Sequence, residues 1–359
     1  MQDIFSGIKV VEFASVLAGP AVGMFFAELG AEVIKIENAK TGGDITRSWK
    51  LPSEDPSGEL SAYFAAVNWG KQHLFFDLTD PAQQQRARES ALEADVVISN
   101  FRPSVAAKFG LDGDTLRRLQ PRLIYAHLHA FADPEDESPA FDIVLQGEAG
   151  FLYMCGEPER PPVRMPVALI DLLAAHQLKE AILIALWQRE RSGEGAFVQT
   201  SLMESALASL ANQATNYLMA GHVPQRMGAQ HPNIAPYGDM FTCADGQSIL
   251  LAVGTERQFQ LLCECLSLPH LPEQPAFRDN AARVRHRAEL NSLLAGVFVN
   301  RPLEAWMEDF KKTGVPAGRI RDMRSVFALP IAKKMILEEQ VGAVNTRRVR
   351  TVAFQIKSK

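Results

Sequence analysis

Residues 8–38 read IKVVEFASVLAGPAVGMFFAELGAEVIKIEN, and their pattern decides the fold. The run 8–14 is apolar and β-branched, as a buried strand requires. SVLAGP makes a turn, AVGMFFAELG a helix stopped by Gly30, and AEVIKIEN a second strand. Strand, turn, helix and strand within about 30 residues make a βαβ unit, which implies a parallel sheet with a right-handed crossover. A dinucleotide site is the first thing such a unit suggests, with Glu37 ending the second strand. The fingerprint for it is G-x-G-x-x-G, and only Gly19 and Gly23 are present, so the fold signal stands without the NAD signal.

The alternation continues. LFFDL (74–78), DVVISN (95–100) and a strand inside PRLIYAHLHAF (121–131) follow, with PAQQQRARESALEA, SVAAKFG and DTLRRLQ as helices between or beside them. Between them, residues 40–70 form a Gly- and Pro-bearing excursion too long for a plain connection. NFRP (100–103) stands beyond the carboxyl end of the fourth strand, where open α/β sheets place ligands, although an ordinary strand-to-helix turn looks the same. Residues 132–140, ADPEDESPA, read as an acidic solvated loop. AFVQTSL (196–202) is one more strand, and Ser201 with Glu204 has capping-box spacing before the next helix.

The stretch 166–195, PVALIDLLAAHQLKEAILIALWQRERSGEG, sets one carboxylate, Asp171, at the mouth of a long apolar helix that closes at Gly193. One reading makes Asp171 the N-cap, with Arg189 and Arg191 suited to the other end of the dipole. The other uses the same geometry: a helix N-terminus holds a carboxylate ionised, and an ionised carboxylate is a nucleophile. Asp142 is a second carboxylate nearby, read as a turn or cap residue.

Composition shifts near residue 222 into the Gly/Pro-bearing linker HVPQRMGAQHPNIAPYGDM. Beyond it, FTCADGQSILLAVG reads as a hairpin turning at Asp245-Gly246, followed by three helical segments. The expected layout is a doubly wound, Rossmann-like α/β large domain over 1–222, to which 326–359 returns, and a smaller α+β domain over 226–325. Periodicity alone does not place the tail from 326.

Composition narrows the function. A chain of 359 residues, 47% hydrophobic and 22% charged, supports a sizeable core. A net charge of −5 argues against a nucleic-acid binder by bulk charge. Cys155, Cys243, Cys263 and Cys265 match no zinc spacing, so no metal site is expected, and they read as reduced cytoplasmic thiols. The best candidate for a membrane span is interrupted by His176, Lys179 and Glu180.

Laid out in order, several stretches resemble the class III (family III) CoA-transferases, the group of formyl-CoA transferase, carnitine CoA-transferase and the α-methylacyl-CoA racemases. They are SGIKVVEFASVLAGP, LGAEVIKIEN, AYFAAVNWGKQHLFFDL, ADVVISNFRPSVAAKFGL, PRLIYAH, HPNIAPYG and TGVPAGRI, spread over about residues 5–330. The resemblance implies that Asp171 is the catalytic aspartate, which attacks an acyl-CoA thioester to give an aspartyl anhydride. It implies acyl-CoA and a carboxylic acid as substrates, no permanently bound cofactor and an interlocked homodimer. It also implies that CoA lies over the sheet's carboxyl ends, lined by Val16, Leu17, Ala18, Asn38, Phe76, Asp77, Leu78, Asn100, Phe101, Arg102, Lys108 and Phe141.

This sequence departs from the family at informative places. Leu17 stands where formyl-CoA transferases have Gln, which points away from a small polar acyl group. Asn38 replaces a basic residue, with Lys40 as a substitute cation. Phe141 stands where racemases have His, and a phenyl ring moves no proton, which leaves His127 or His129 as the imidazoles for a racemase reading. The resemblance further implies a terminal helix in many such proteins, and none is expected in the stretch up to residue 359. The readings are a CoA-transferase, an acyl-CoA racemase or epimerase, a non-catalytic CoA-binding relative, and an NAD-dependent oxidoreductase that the missing glycines undercut.

Overall fold

A computed structural model of the chain describes residues 3–133, 136, 138–342 and 344–356. Pro134, Glu135 and Glu137 of the acidic loop lie outside the described residues, as do 343 and 357–359 of the tail. The chain forms two compact units, one of Met1–Phe151, Arg164–Val223 and Ile331–Lys359, the other of Leu152–Val163 and Pro224–Pro330.

The first unit is built on six parallel strands: β1 (Lys9–Glu12), β2 (Glu32–Asn38), β3 (Gln72–Phe76), β4 (Val96–Ser99), β5 (Ile124–His129) and β6 (Phe197–Ser201). Their order is β3-β2-β1-β4-β5-β6, the doubly wound order, with its topological switch between β1 and β4. Side chains alternate between two faces. Val10, Val33, Val96, Ile98, Ile124 and Ala126 pack with α1 (Ala18–Glu28) and the long α6 (Leu169–Ser192). Val11, Ile34, Ile36, Val97 and Tyr125 pack on the other face with α2 (Pro81–Leu92) and α4 (Gly113–Leu119). Between those two helices lies α3 (Pro103–Phe109), and the short α5 (Asp142–Glu148) precedes α6. After β6 come α7 (Leu202–Ala208) and α8 (Ala211–Ala220), the latter with no buried residue.

The two glycines of the partial fingerprint serve packing. A Cβ on Gly19 would stand 2.3 Å from the Ala14 Cβ, and one on Gly23 would stand 2.1 Å from Glu12 Oε2. Glu12 is completely buried and accepts from Lys35 Nζ and Lys71 Nζ, both at 2.8 Å. Burial alone would raise the pKa of Glu12, but its two ammonium partners outweigh burial and hold it below the usual range. Burial pulls Lys71 down to about 8, with Glu12 opposing. Lys35 also donates to Ala14 O at 2.6 Å and pairs with Asp44 at 3.1 Å. Glu37, the acid a dinucleotide site would use, is committed to Arg47 (2.6 and 2.8 Å), to His73 Nδ1 (2.8 Å) and to the Asp44 N–H (2.8 Å).

The tail left unplaced by periodicity forms a hairpin of β10 (Ile336–Val341) and β11 (Val344–Val349). It is tied to α1 by one buried carboxylate. Glu28 accepts from Arg348 Nη2 at 2.6 Å and from the backbone N–H groups of Thr351 and Val352, both at 2.9 Å.

The second unit holds the antiparallel strands β7 (Tyr237–Thr242), β8 (Ser248–Ala252) and β9 (Ala317–Arg319). The hairpin turns at Asp245-Gly246, but β7 begins at Tyr237, inside the stretch expected to be linker. Its core joins Phe241, Ile249 and Leu251 to α9 (Glu256–Cys265), α10 (Arg287–Phe298) and α11 (Leu303–Thr313).

Replacing a mid-helix glycine by alanine ordinarily stabilises by about 0.5–1 kcal/mol. Gly23→Ala is expected to do the opposite, lowering the urea midpoint at unchanged m, because its methyl displaces the Glu12 carboxylate from two buried lysines. An unchanged or raised midpoint would contradict this packing.

Candidate active site

The site lies where the carboxyl ends of β1, β4 and β5 diverge. Chain leaving β1 must turn sharply, and it does so at Val16, whose φ of +74° is left-handed. A β-branched residue pays steric strain there, so the turn has to be held by its surroundings. Asp44 holds it, accepting the Val16 N–H at 3.1 and 3.4 Å while also accepting from the Thr46 N–H and hydroxyl. Asn100 ties the exits of β1 and β4 together, its amide accepting from Ser15 N–H and donating to Ser15 O, each at 3.1 Å.

Two clefts flank this turn. The first, of about 200 Å³, is lined by Val16, Leu17, Ala18, Asn100, Phe101, Arg102, Phe141 and Asp171, and also by His127 and His129. The second, of about 330 Å³, is lined by Asn38, Phe76, Asp77 and Leu78, with Phe101 common to both. Of the residues expected around CoA, Lys108 lies on neither lining; its ammonium stands 5.6 Å from the centre of the Phe109 ring on α3. Lys40 does not present a free cation at the second cleft, since its ammonium is shared between Thr79 Oγ1 at 2.5 Å and Asp77 at 3.1 Å. Asn38 accepts the Lys40 N–H at 3.0 Å and so caps a turn.

Asp171 corrects the capping expectation. Helix α6 begins at Leu169 with Ala168 as its N-cap, so Asp171 is its third residue. The group that caps this helix comes from elsewhere. Asp142, the first residue of α5, accepts the Ile170 N–H at 2.7 Å and the Gln146 amide at 2.6 Å. Gln146 in turn accepts the Met165 N–H at 3.0 Å. No hydrogen-bond donor among the described residues reaches the Asp171 carboxylate, and the residue is only 7% exposed. The expected acidic, dipole-stabilised carboxylate is therefore not what forms. Burial, and then repulsion from Asp142, push Asp171 up to about 7.

The long excursion after β2 arrives above this pair. Trp49 packs edge-on against Tyr63 (5.1 Å between centroids) and at a tilt against Phe141 (6.2 Å). The Tyr63 hydroxyl is raised by burial first, and then by the charges of Asp171 and Asp142. Sequence reading missed Trp49, Tyr63 and Asp44. Trp49 and Asp44 had no signal but the length of an irregular segment, and Tyr63 only its place in the stretch AYFAAVNWGKQHLFFDL, because no periodicity marks residues that converge through a loop. Among the described residues no group of three His, Cys, Asp or Glu is placed to hold a metal ion, and no helix is long and apolar enough to cross a membrane.

A doubly wound parallel sheet with a buried carboxylate in a cleft beyond its carboxyl ends defines the class: an α/β protein whose site is built on strand termini. The sequence matches CoA-transferase family III over residues 5–359, and the chain belongs to that family. It is similar to a succinate–glutarate CoA-transferase of Agrobacterium fabrum, with 38% identity over 94% of this chain and 86% of the relative. It is 32% identical to a human succinyl-CoA:glutarate CoA-transferase over 90% of this chain and 73% of the relative. Its fold is that of a CaiB/BaiF family protein from Brucella suis, at a TM-score of 0.86 and 37% identity, covering 99% of this chain and 93% of the other.

A raised carboxylate makes the fold less stable as pH rises. The unfolded chain ionises Asp171 near pH 4 and the folded chain near 7. Stability is lost between those values, by at most about 4 kcal/mol at about 1.36 kcal/mol per pH unit. Asp171→Asn is therefore expected to match the native chain in urea stability near pH 4 and exceed it at pH 8. A variant less stable at both would contradict the described environment.

Proposed function

We propose that this CoA-transferase moves CoA from an acyl-CoA donor to a carboxylic acid through an acyl anhydride on Asp171. The observation that carries the reading is Asp171 itself, a buried carboxylate without a donor among the described residues that opens onto a cleft at the carboxyl ends of the strands. Buried carboxylates are ordinarily paired, and one left without a partner is available for chemistry.

The ionised Asp171 oxygen attacks the thioester carbonyl, the C–S bond breaks, and CoA leaves as thiolate. The acceptor carboxylate attacks the aspartyl carbonyl and expels the donor acid. The thiolate then attacks the acceptor's acyl carbon, releasing the new acyl-CoA and the free aspartate. Desolvation strengthens the nucleophile, since a carboxylate of higher basicity stripped of water attacks faster than a solvated one. Asp142 keeps the Ile170 amide occupied and leaves Asp171 unneutralised. The relatives named above support four- and five-carbon dicarboxylic acids as the substrate class.

The same reading makes the protein a cytoplasmic homodimer. Leu183, Ile184 and Trp187 on α6, with Tyr217, Leu218 and Met219 on α8, are large exposed apolar side chains that a second copy would cover.

The test is intact-mass spectrometry after mixing with succinyl-CoA or glutaryl-CoA and trapping with hydroxylamine. A hydroxamate on Asp171 is expected in the native chain, at a rate rising with pH through about 7. Asp171→Ala is expected to form none while still binding CoA. Turnover in that variant would overturn the mechanism. Exchange of the acyl α-proton with solvent deuterium, without any adduct, would favour the racemase reading instead.

A further inference from the structure

His127 takes no part in the CoA-transfer steps above. It stands near the end of β5, in register with Ser99 of β4 and Gln199 of β6, and shares a sheet face with Tyr125 and His129. Only 4% of it is exposed, yet it lines the cleft that holds Asp171. Its ring is fixed by neighbours: His129 packs edge-on at 4.1 Å between centroids, and Tyr125 lies parallel at 6.3 Å. His129 has a partner of its own in Gln199 Oε1, at 3.2 Å. Among the described residues no hydrogen bond is made to either ring nitrogen of His127. A polar ring this deeply buried ordinarily has a partner, and the open side here is the cleft.

We propose that His127 binds the acyl-CoA substrate, its imidazole hydrogen-bonding an amide of the pantetheine arm. The inference rests on the CoA reading above and adds a residue to it. An acyl group reaching Asp171 brings its arm along the same lining. The ring stays uncharged, because burial, and then His129, pull it down to about 4. A neutral imidazole carries one donor and one acceptor, which matches an amide's C=O and N–H and offers no charge to a phosphate or carboxylate. Arg102, on the same lining, carries the charge an anion would select.

The experiment is calorimetric titration of the native chain, His127→Leu and His127→Asn with two probes. One is CoA; the other is adenosine 3′,5′-bisphosphate, which has the nucleotide end without the arm. His127→Leu is expected to weaken CoA about tenfold, the order of one lost hydrogen bond. His127→Asn, which supplies a donor and an acceptor, should restore most of that. The nucleotide's Kd should move less than about twofold in either variant. An unchanged Kd for CoA in His127→Leu would overturn the proposal, and so would an equal loss for the nucleotide, which marks a structural role. Failure of the native chain to bind CoA would overturn the CoA reading beneath it. CoA binding without a hydroxamate would overturn the anhydride alone and leave this proposal standing.

Discussion

The structure depends on a buried chain of charges that begins at Glu12. That carboxylate stands on the central strand β1 and holds two ammonium groups; Lys35 passes the connection to Asp44, and Asp44 fixes the strained turn at Val16. Each ion is out of water, so each is tolerable only while the others are present. The arrangement converts a costly backbone conformation into a fixed one. Without Asp44 the Val16 N–H loses the carboxylate that holds its strained turn, and Val16, Leu17 and Ala18 form one wall of the cleft.

Two aspartates of the site have opposite fates, although both stand in the first turn of a helix. Asp142 receives two donors and serves as an anchor. Asp171 receives none from the described residues. Local sequence does not distinguish them, since the difference lies in which helix end each carboxylate can reach. Helix α6 is capped across space, and this frees its own carboxylate from that task.

The parallel sheet was legible because β-branched runs and the intervening helix recur at βαβ spacing, and because Gly193 stops α6 where a left-handed residue is needed. The family was legible from ordered stretches rather than any one motif. Three things were not legible. Gly19 and Gly23 resembled half a phosphate fingerprint, while their neighbours Ala14 and Glu12 give them a steric reason. Lys40 read as a spare cation, but Asp77 and Thr79 arrive from another strand's end and occupy it. The β10–β11 hairpin showed no clear alternation because each of its faces mixes apolar and charged side chains, Ile336 and Val349 with Glu338 and Arg347 on one, Leu337 and Val341 with Glu339 and Arg348 on the other.

The carboxylate of Glu28 bears on the order in which this protein is made. Its partners lie 320 or more residues further along the chain. During synthesis α1 emerges early, but the groups that complete its buried end emerge only after the whole second unit has been translated. Contacts of such sequence separation form late and slowly. The nascent sheet must therefore wait with one acidic helix end unsealed, and closure of the first unit is reserved for a chain that has been read through to residue 352.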